Sequence, residues 1–338
     1  MNKRNTNINE LRIGVTGGTG GLGNKLINLL LKEGAEITCF VRKTSSTKDI
    51  EDMVTLCYGS LTDMASVEKF ISNVDVCIHL AAQVSPTTAE NYYLSNVVGT
   101  ENICKSIVKL NPHCRLINCS SIAAYRIKGI CKMQFTDYAK SKLAADNIVD
   151  YYIKEKGLKA TTVIPGMIYG PGKNVFIPTV IENLKNNKLF LVKGGEEFAP
   201  LSYIDDLCDL FIKVVKNEES VGQKYFGINY TEKGIHDFIK LIASKISYSA
   251  PSKVYNKKVL MFKAITLKLI YSFFNFRGHP KLSIRMVDVL SINYQLTLEQ
   301  RTNNIGWIPT VSMETGIDIV LSQYDLTQKQ KNDKLITM

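Results

Sequence analysis

The segment Thr16-Gly17-Gly18-Thr19-Gly20-Gly21-Leu22-Gly23 narrows the folds open to this chain more than any other. Before it, Leu11 to Thr16 reads as a short buried strand. After it, Leu22 to Lys32 sets Leu22, Leu26, Leu29 and Leu30 on one side of a helix. The glycines therefore occupy a strand-to-helix turn, where missing side chains let the backbone and the helix N-terminus approach a pyrophosphate. Their spacing is Gly-x-x-Gly-x-x-Gly, not the Gly-x-Gly-x-x-Gly of the general dinucleotide fingerprint. A flexible hinge is the alternative, and the strand–turn–helix setting weighs against it. Gly17, Thr19, Gly20, Gly21, Leu22 and Gly23 are the candidate dinucleotide contacts.

A second signal follows in the same chain, Tyr138-Ala139-Lys140-Ser141-Lys142. On a helix, residues four apart share a face, so the Lys142 ammonium can approach the Tyr138 hydroxyl and favour loss of its proton. A phenol treated this way serves as an acid or base nearer neutrality. Taken alone, the pattern also fits a surface tyrosine covered by a lysine stem.

Strands are expected at Leu11–Thr16, Glu36–Val41, Val54–Tyr58, Val76–Leu80, Arg115–Cys119 and Thr161–Ile164, with helices between most of them. This alternation predicts an α/β fold, a doubly wound parallel sheet of the Rossmann type. Beyond Phe176 the pattern becomes mixed, with helical runs at Ile177–Asn187, Asp206–Lys216, Ile235–Lys245 and near Met313–Tyr324. Residues 1–175 are read mainly as the nucleotide-binding part. Residues 176–325 are read mainly as a substrate-binding part interleaved with late strands of the sheet, and 326–338 as a polar tail. The eight cysteines show no Cys-x-x-Cys pair or His/Cys cluster, and Met1 to Glu10 is polar. Those features point to a reducing cytoplasm and no structural metal.

Together these segments resemble the extended short-chain dehydrogenase/reductase family, also called the NAD-dependent epimerase/dehydratase family. Further matches follow in the family's order: His79-Leu80-Ala81-Ala82, Asn96-Val97-Val98-Gly99-Thr100, Ser120-Ser121-Ile122-Ala123-Ala124-Tyr125, Pro165 to Gly172 and Gly306-Trp307-Ile308-Pro309. The resemblance implies a catalytic group of Ser121, Tyr138 and Lys142. Ser121 would bond the substrate oxygen, with Ser120 the weaker candidate. Tyr138 would move the proton on that oxygen while hydride passes to or from the nicotinamide, and Lys142 would bind ribose hydroxyls. It also implies cofactor contacts at Leu61, at Ala81 and Ala82, and at Pro165. Ser60 stands where the family usually has an aspartate at the adenine. Asn96 is implied as structural support or a water relay. Ser121 and Tyr138 are 17 residues apart, short for the extended branch, so the Arg126 to Thr136 loop is expected to leave an open site mouth.

Cofactor preference is read where the second strand ends. Acidic residues there suit the ribose of NAD, and a basic residue accommodates the 2′-phosphate of NADP. Here Val41 is followed by Arg42-Lys43-Thr44-Ser45, with no carboxylate until Asp49, so NADP(H) is favoured over NAD(H). The competing reading has Arg42 stacking on adenine or facing solvent.

Nucleotide-sugar epimerases of the family carry an arginine that binds the substrate diphosphate. The aligned run here, Ala199 to Asp206, lacks it, leaving Lys173, Lys193 or Arg285 as other sources of charge. This tilts the resemblance towards dihydroflavonol reductases and 3β-hydroxysteroid dehydrogenases, which act on a hydroxyl or ketone of a less polar molecule. The expected partner is a small-molecule substrate. The net charge of +11 is spread along the chain without an aromatic-basic motif, so nucleic acid is not expected. The apolar stretch 257–277 is interrupted by Lys258, Lys263 and Lys268, which fall on different sides of a helix. It reads as a wall of the substrate domain ahead of a peripheral membrane contact, and not as a spanning helix. A homodimer stays open. His79, ending an apolar strand, is read as a buried, hydrogen-bonded histidine, and Trp307 as a packing residue. The leading expectation is an NADP(H)-dependent oxidoreductase. The alternatives are a nucleotide-sugar epimerase or dehydratase with tightly held NAD and a non-catalytic redox sensor, which would have no reason to keep Ser121, Tyr138 and Lys142.

Overall fold

The computed structural model describes residues 6–125, 136–172, 176–229, 232–274, 282–297, 300 and 304–336, with backbone only at 272 and 325–336. The loop expected to open the site mouth, at 126–135, lies outside the described residues, as do Lys173 and 275–277 of the apolar stretch. The chain forms two compact units. Residues 1–166, 204–228 and 298–309 make the first, and 167–203, 229–297 and 310–338 make the second.

The first unit is built on seven strands: β1 (Arg12–Thr16), β2 (Glu36–Val41), β3 (Thr55–Tyr58), β4 (Val76–His79), β5 (Arg115–Cys119), β6 (Ala160–Pro165) and β7 (Lys224–Gly227). Their lateral order is β7-β6-β5-β4-β1-β2-β3, and every neighbouring pair is parallel. This is the doubly wound α/β sheet that the alternation predicts. The winding reverses at β1, which has β2 on one side and β4 on the other, and such a reversal leaves a crevice at the C-terminal edge of the sheet.

Helices cover both faces, which is why β1 is buried from Ile13 to Thr16 and shows no alternation of apolar and polar residues. On one face lie α2 (Met64–Ile71), α3 (Gly99–Leu110) and α4 (Asp137–Lys156). There Phe70, Ile103, Ile107 and Val149 share a core with Cys77 and Leu116 of the sheet. Elsewhere α1 (Gly21–Lys32) completely buries Leu26, Ile27 and Leu30 and packs beside α5 (Ile204–Lys216). Each such side chain contributes about 1.5–3 kcal/mol of burial. The ends of α4 are fixed by its own sequence. The Thr136 side chain accepts from the Ala139 N–H at the start, and Gly157 closes the helix at φ +68°. Ahead of α3, Tyr93–Val98 form a π-helical turn that carries Asn96.

The second unit contains two short parallel ladders, Met167–Tyr169 with Leu201–Tyr203 and Leu191–Val192 with Val254–Tyr255. Its helices are Phe176–Lys185, Ile235–Lys245, α6 (Lys257–Phe273), Ile284–Leu290 and Met313–Ile336. Phe238 meets the Tyr169 ring edge-on and stacks on Phe176. The final helix runs twelve residues past the expected Tyr324, so the stretch from 326 is helical to Ile336. No glycine or proline after Gly316 interrupts it. Among the described residues, no helix is long and apolar enough to cross a membrane.

Candidate active site

Because the strands are parallel, all their C-terminal ends meet one edge of the sheet, and the residues singled out from the sequence lie along it. Gly17 follows β1, Arg42 follows β2, Leu61 follows β3, Ala81 and Ala82 follow β4, Ser121 follows β5, and Pro165 ends β6.

The glycine turn shows what three of its glycines allow. Gly17 adopts φ +77°, and a Cβ on it would lie 2.7 Å from the Ala81 nitrogen. A Cβ on Gly23 would lie 2.3 Å from the Gly17 carbonyl oxygen. Gly17 thus lets β1 turn tightly against the segment after β4, and Gly23 lets α1 pack onto that turn. Gly20 has another use. It is the exposed N-cap of α1, supplies no capping side chain, and leaves the first-turn amides of Gly21, Leu22 and Gly23 without a side-chain acceptor. Thr19, Gly21 and Leu22 are half-buried around the same turn. An uncapped helix N-terminus beside a turn lined mostly by glycine fits the pyrophosphate of a dinucleotide.

Arg42 is exposed just past β2. Leu61 is half-buried, with its carbonyl held by Asn102 Nδ2 at 2.8 Å. The Ser60 hydroxyl is paired with Thr62 Oγ1 at 2.8 Å.

Behind the glycine turn runs a buried hydrogen-bond chain whose direction can be deduced. The Ala81 N–H donates to Thr16 Oγ1 at 3.2 Å, and Thr16 Oγ1 lies 2.8 Å from His79 Nδ1. On the other side, His79 Nε2 lies 3.1 Å from Thr100 Oγ1, whose hydroxyl proton is given to the Asn96 carbonyl at 2.7 Å. Thr100 can therefore only accept from His79, so Nε2 carries the proton and Nδ1 accepts from Thr16. His79 is 2% exposed, and burial, helped by the nearby Lys142 charge, holds its pKa down at about 3. It is a neutral, doubly bonded core histidine. Asn96 continues the chain. Its amide group donates to the Gln83 carbonyl and to Ser141 Oγ, and its oxygen accepts from the Gln83 N–H. With its amide protons and oxygen engaged by protein groups, Asn96 has the pattern of a support. Ser141 Oγ in turn donates to the Tyr138 carbonyl at 2.8 Å.

The three candidate catalytic side chains are gathered by α4 and the end of β5. Tyr138 and Lys142 lie one turn apart on α4. The Lys142 Nζ donates to the carbonyl of Cys119, the last residue of β5, at 2.8 Å. Ser121 stands two residues beyond Cys119, nearly buried at 9% exposure, with its Oγ accepting from the Ala123 N–H. Tyr138 is half-buried, and the ring of Tyr92 packs 6.0 Å from its own. Ser120 is committed elsewhere, since its hydroxyl donates to the Asp146 carboxylate. Asn118 Nδ2 reaches the other Asp146 oxygen at 3.3 Å. Two successive turns of α4, at Lys142 and Asp146, therefore grip three consecutive positions of one strand end and fix Ser121 relative to Tyr138.

The family model for the NAD dependent epimerase/dehydratase family matches residues 13–227. This chain belongs to that family. Among its relatives, a 2-alkyl-3-oxoalkanoate reductase of Stenotrophomonas maltophilia is 23% identical over 325 residues, covering 91% of this chain and 97% of the reductase. A dTDP-glucose 4,6-dehydratase of Mycolicibacterium smegmatis is 28% identical over 220 residues, covering 58% of this chain and 66% of the dehydratase. The crystal structure of DesIV, a dTDP-glucose 4,6-dehydratase from Streptomyces venezuelae with NAD and TYD bound, superposes with a TM-score of 0.72 at 19% identity. It covers 94% of this chain and 98% of DesIV.

In this epimerase/dehydratase family member, several further residues support the site. Asp146 carries a signal that was available, because it lies four residues after Lys142 and eight after Tyr138 on the same helix face. Thr16 and Thr100 lie within matched motifs, but nothing local marks their bonds to His79, and Tyr92 lies outside every matched motif. Trp307 is buried at 6%, with its indole N–H donating to the Asp206 carbonyl at 2.9 Å.

Proposed function

We propose that this protein is an NADP(H)-dependent oxidoreductase that interconverts a hydroxyl and a ketone on a small or moderately apolar substrate. The observation carrying the reading is the Lys142 bond to Cys119, which ties the helix of Tyr138 to the strand end leading into Ser121. Bound nicotinamide supplies or accepts the hydride. Ser121 orients the substrate oxygen, Tyr138 gives or takes the proton on it, and Lys142 holds the helix face and the ribose side of the site. The second unit is assigned the substrate.

Two further points support a ketone substrate over a nucleotide sugar. A relative whose sequence matches nearly end to end is a reductase of 2-alkyl-3-oxoalkanoates, whereas the sequence match to the Mycolicibacterium smegmatis dehydratase covers 58% of this chain. In the Ala199 to Asp206 run, the diphosphate-binding arginine is missing, and Asp205, one residue before its end, is paired to Lys25 at 2.6 Å. Arg42, exposed past β2 with no acidic residue before Asp49, supports NADP(H).

The first experiment identifies the nucleotide released on denaturing the purified protein and asks whether it exchanges with added NADPH or NADH beforehand. Exchangeable NADP(H) is expected. Retained, non-exchanging NAD would overturn the reading in favour of an epimerase or dehydratase. Tyr138→Phe should abolish ketone reduction and leave cofactor affinity nearly intact. An unchanged ratio of NADPH to NADH affinity in Arg42→Glu would refute the cofactor assignment.

A further inference from the structure

Helix α6 is seated by one face only. Leu260, Met261 and Ala264 are buried, whereas Val259, Phe262, Leu269, Ile270 and Phe273 are 53, 72, 64, 40 and 83% exposed. At 3.6 residues per turn these five fall within an arc of about 100°, the width of a complete amphipathic stripe. Thr266 lies within the same arc and turns its hydroxyl inward, donating to the Phe262 carbonyl at 3.0 Å. Single exposed apolar residues are ordinary, but a continuous stripe with two phenylalanines marks a contact surface.

Charge decides what the surface fits. The helix carries four lysines and no carboxylate. Lys257 and Lys268 fall on the far side, but Lys258 and Lys263 lie about 20° outside the two borders of the stripe. The helical angles scatter the lysines around the helix, and the exposures of the apolar residues identify the stripe that Lys258 and Lys263 border. Ammonium groups flanking an apolar stripe suit the headgroup level of an anionic bilayer, where lysine stems lie along apolar surface and their charges stay in water. A second copy of this chain would bring another helix with four lysines against the first, which opposes self-association through this face.

We infer that α6 docks the protein on the surface of an anionic phospholipid bilayer. The stripe enters the boundary between headgroups and acyl chains, while Lys258 and Lys263 meet lipid phosphates.

The test is co-sedimentation of the full chain with phosphatidylcholine vesicles, with and without phosphatidylglycerol. The protein should pellet with the anionic vesicles and be released by about 0.5 M salt, where charge attraction is screened within a few ångströms. The double variants Phe262→Ser/Phe273→Ser and Lys258→Glu/Lys263→Glu should each lower partitioning by about tenfold or more. Their circular dichroism and cofactor binding should match the parent. Two results would overturn the inference. One is recovery in the supernatant with both kinds of vesicle, or pelleting that both variants retain. The other is a concentration-dependent dimer, seen by sedimentation velocity without lipid, that Phe262→Ser/Phe273→Ser abolishes, because it assigns the stripe to a second copy.

Discussion

Ser120 gives its hydroxyl proton to Asp146, two turns along α4 from Tyr138, so a buried carboxyl sits directly beneath the candidate catalytic face. Burial raises the Asp146 pKa above the usual carboxylate range, against the opposing pull of Lys142 and the Ser120 bond. The folded protein therefore holds the carboxyl proton of Asp146 more tightly than the unfolded chain, and stability falls as pH rises from the ordinary aspartate range through the folded value. Asp146→Asn should flatten that part of the pH dependence, read from urea midpoints between about pH 4 and 8. Asp146→Ala should cost about 1–3 kcal/mol by stranding Ser120 and Asn118. Parallel pH curves for the parent and Asp146→Asn would rule the assignment out.

His79 acts in the opposite sense. Its folded pKa lies at about 3 against an ordinary 6.5, so on acidification the unfolded chain takes up a proton that the folded one refuses. The stabilisation is complete above pH 6.5 and is lost as pH falls towards 3, at up to about 1.4 kcal/mol per pH unit from this group. His79→Asn should be less stable than the parent at neutral pH and should have a shallower acid limb in the same urea series.

For Lys142, a methionine keeps the apolar stem and removes both the charge and the bond to Cys119. Turnover of Lys142→Met should drop by about 10²–10⁴-fold. Single-turnover assays with saturating cofactor will separate that loss from weaker nucleotide binding. Full activity would remove Lys142 from the catalytic group.

Two glycines offer a controlled comparison. Gly17→Ala meets a positive φ and a Cβ 2.7 Å from the backbone nitrogen of Ala81. Gly157→Ala meets a positive φ with no atom within 4 Å. Both should lose about 1–2 kcal/mol to the left-handed backbone. Only Gly17→Ala should also weaken dinucleotide binding, by about tenfold or more, in fluorescence titration with NADPH and NADH. Equal affinities in the two variants would show that the close approach at position 17 has no bearing on the cofactor.

The sheet was legible because burial on both faces demands continuous apolar strands, and Glu36–Val41 and Arg115–Cys119 begin and end where the sequence places them. The glycine turn was legible because an apolar strand precedes it and an amphipathic helix follows, the setting that turns closely spaced glycines into a tight corner. What escaped was the second layer of the site. Nothing near Thr16 in the sequence announces a partner 63 residues away at His79, nor does Ser120 announce Asp146, because those pairs exist only once the strands are set side by side. The last helix was read short because its polar final turns lack an apolar periodicity, although no helix breaker is present. The exposed face of α6 was equally hidden, since periodicity reports which residues share a side and not which side is covered.

The hydrogen-bond run from Ala81 through Thr16, His79 and Thr100 to Asn96 has a single sense, because each hydroxyl and the imidazole give one proton and receive one. Reversing any link would leave a donor facing a donor inside the core. The wall behind the glycine turn and the π-helical turn that holds the Tyr138 helix thus share one arrangement, chosen during folding. A ligand arriving there meets a preorganised surface, and the entropy of aligning those groups has been lost before the encounter.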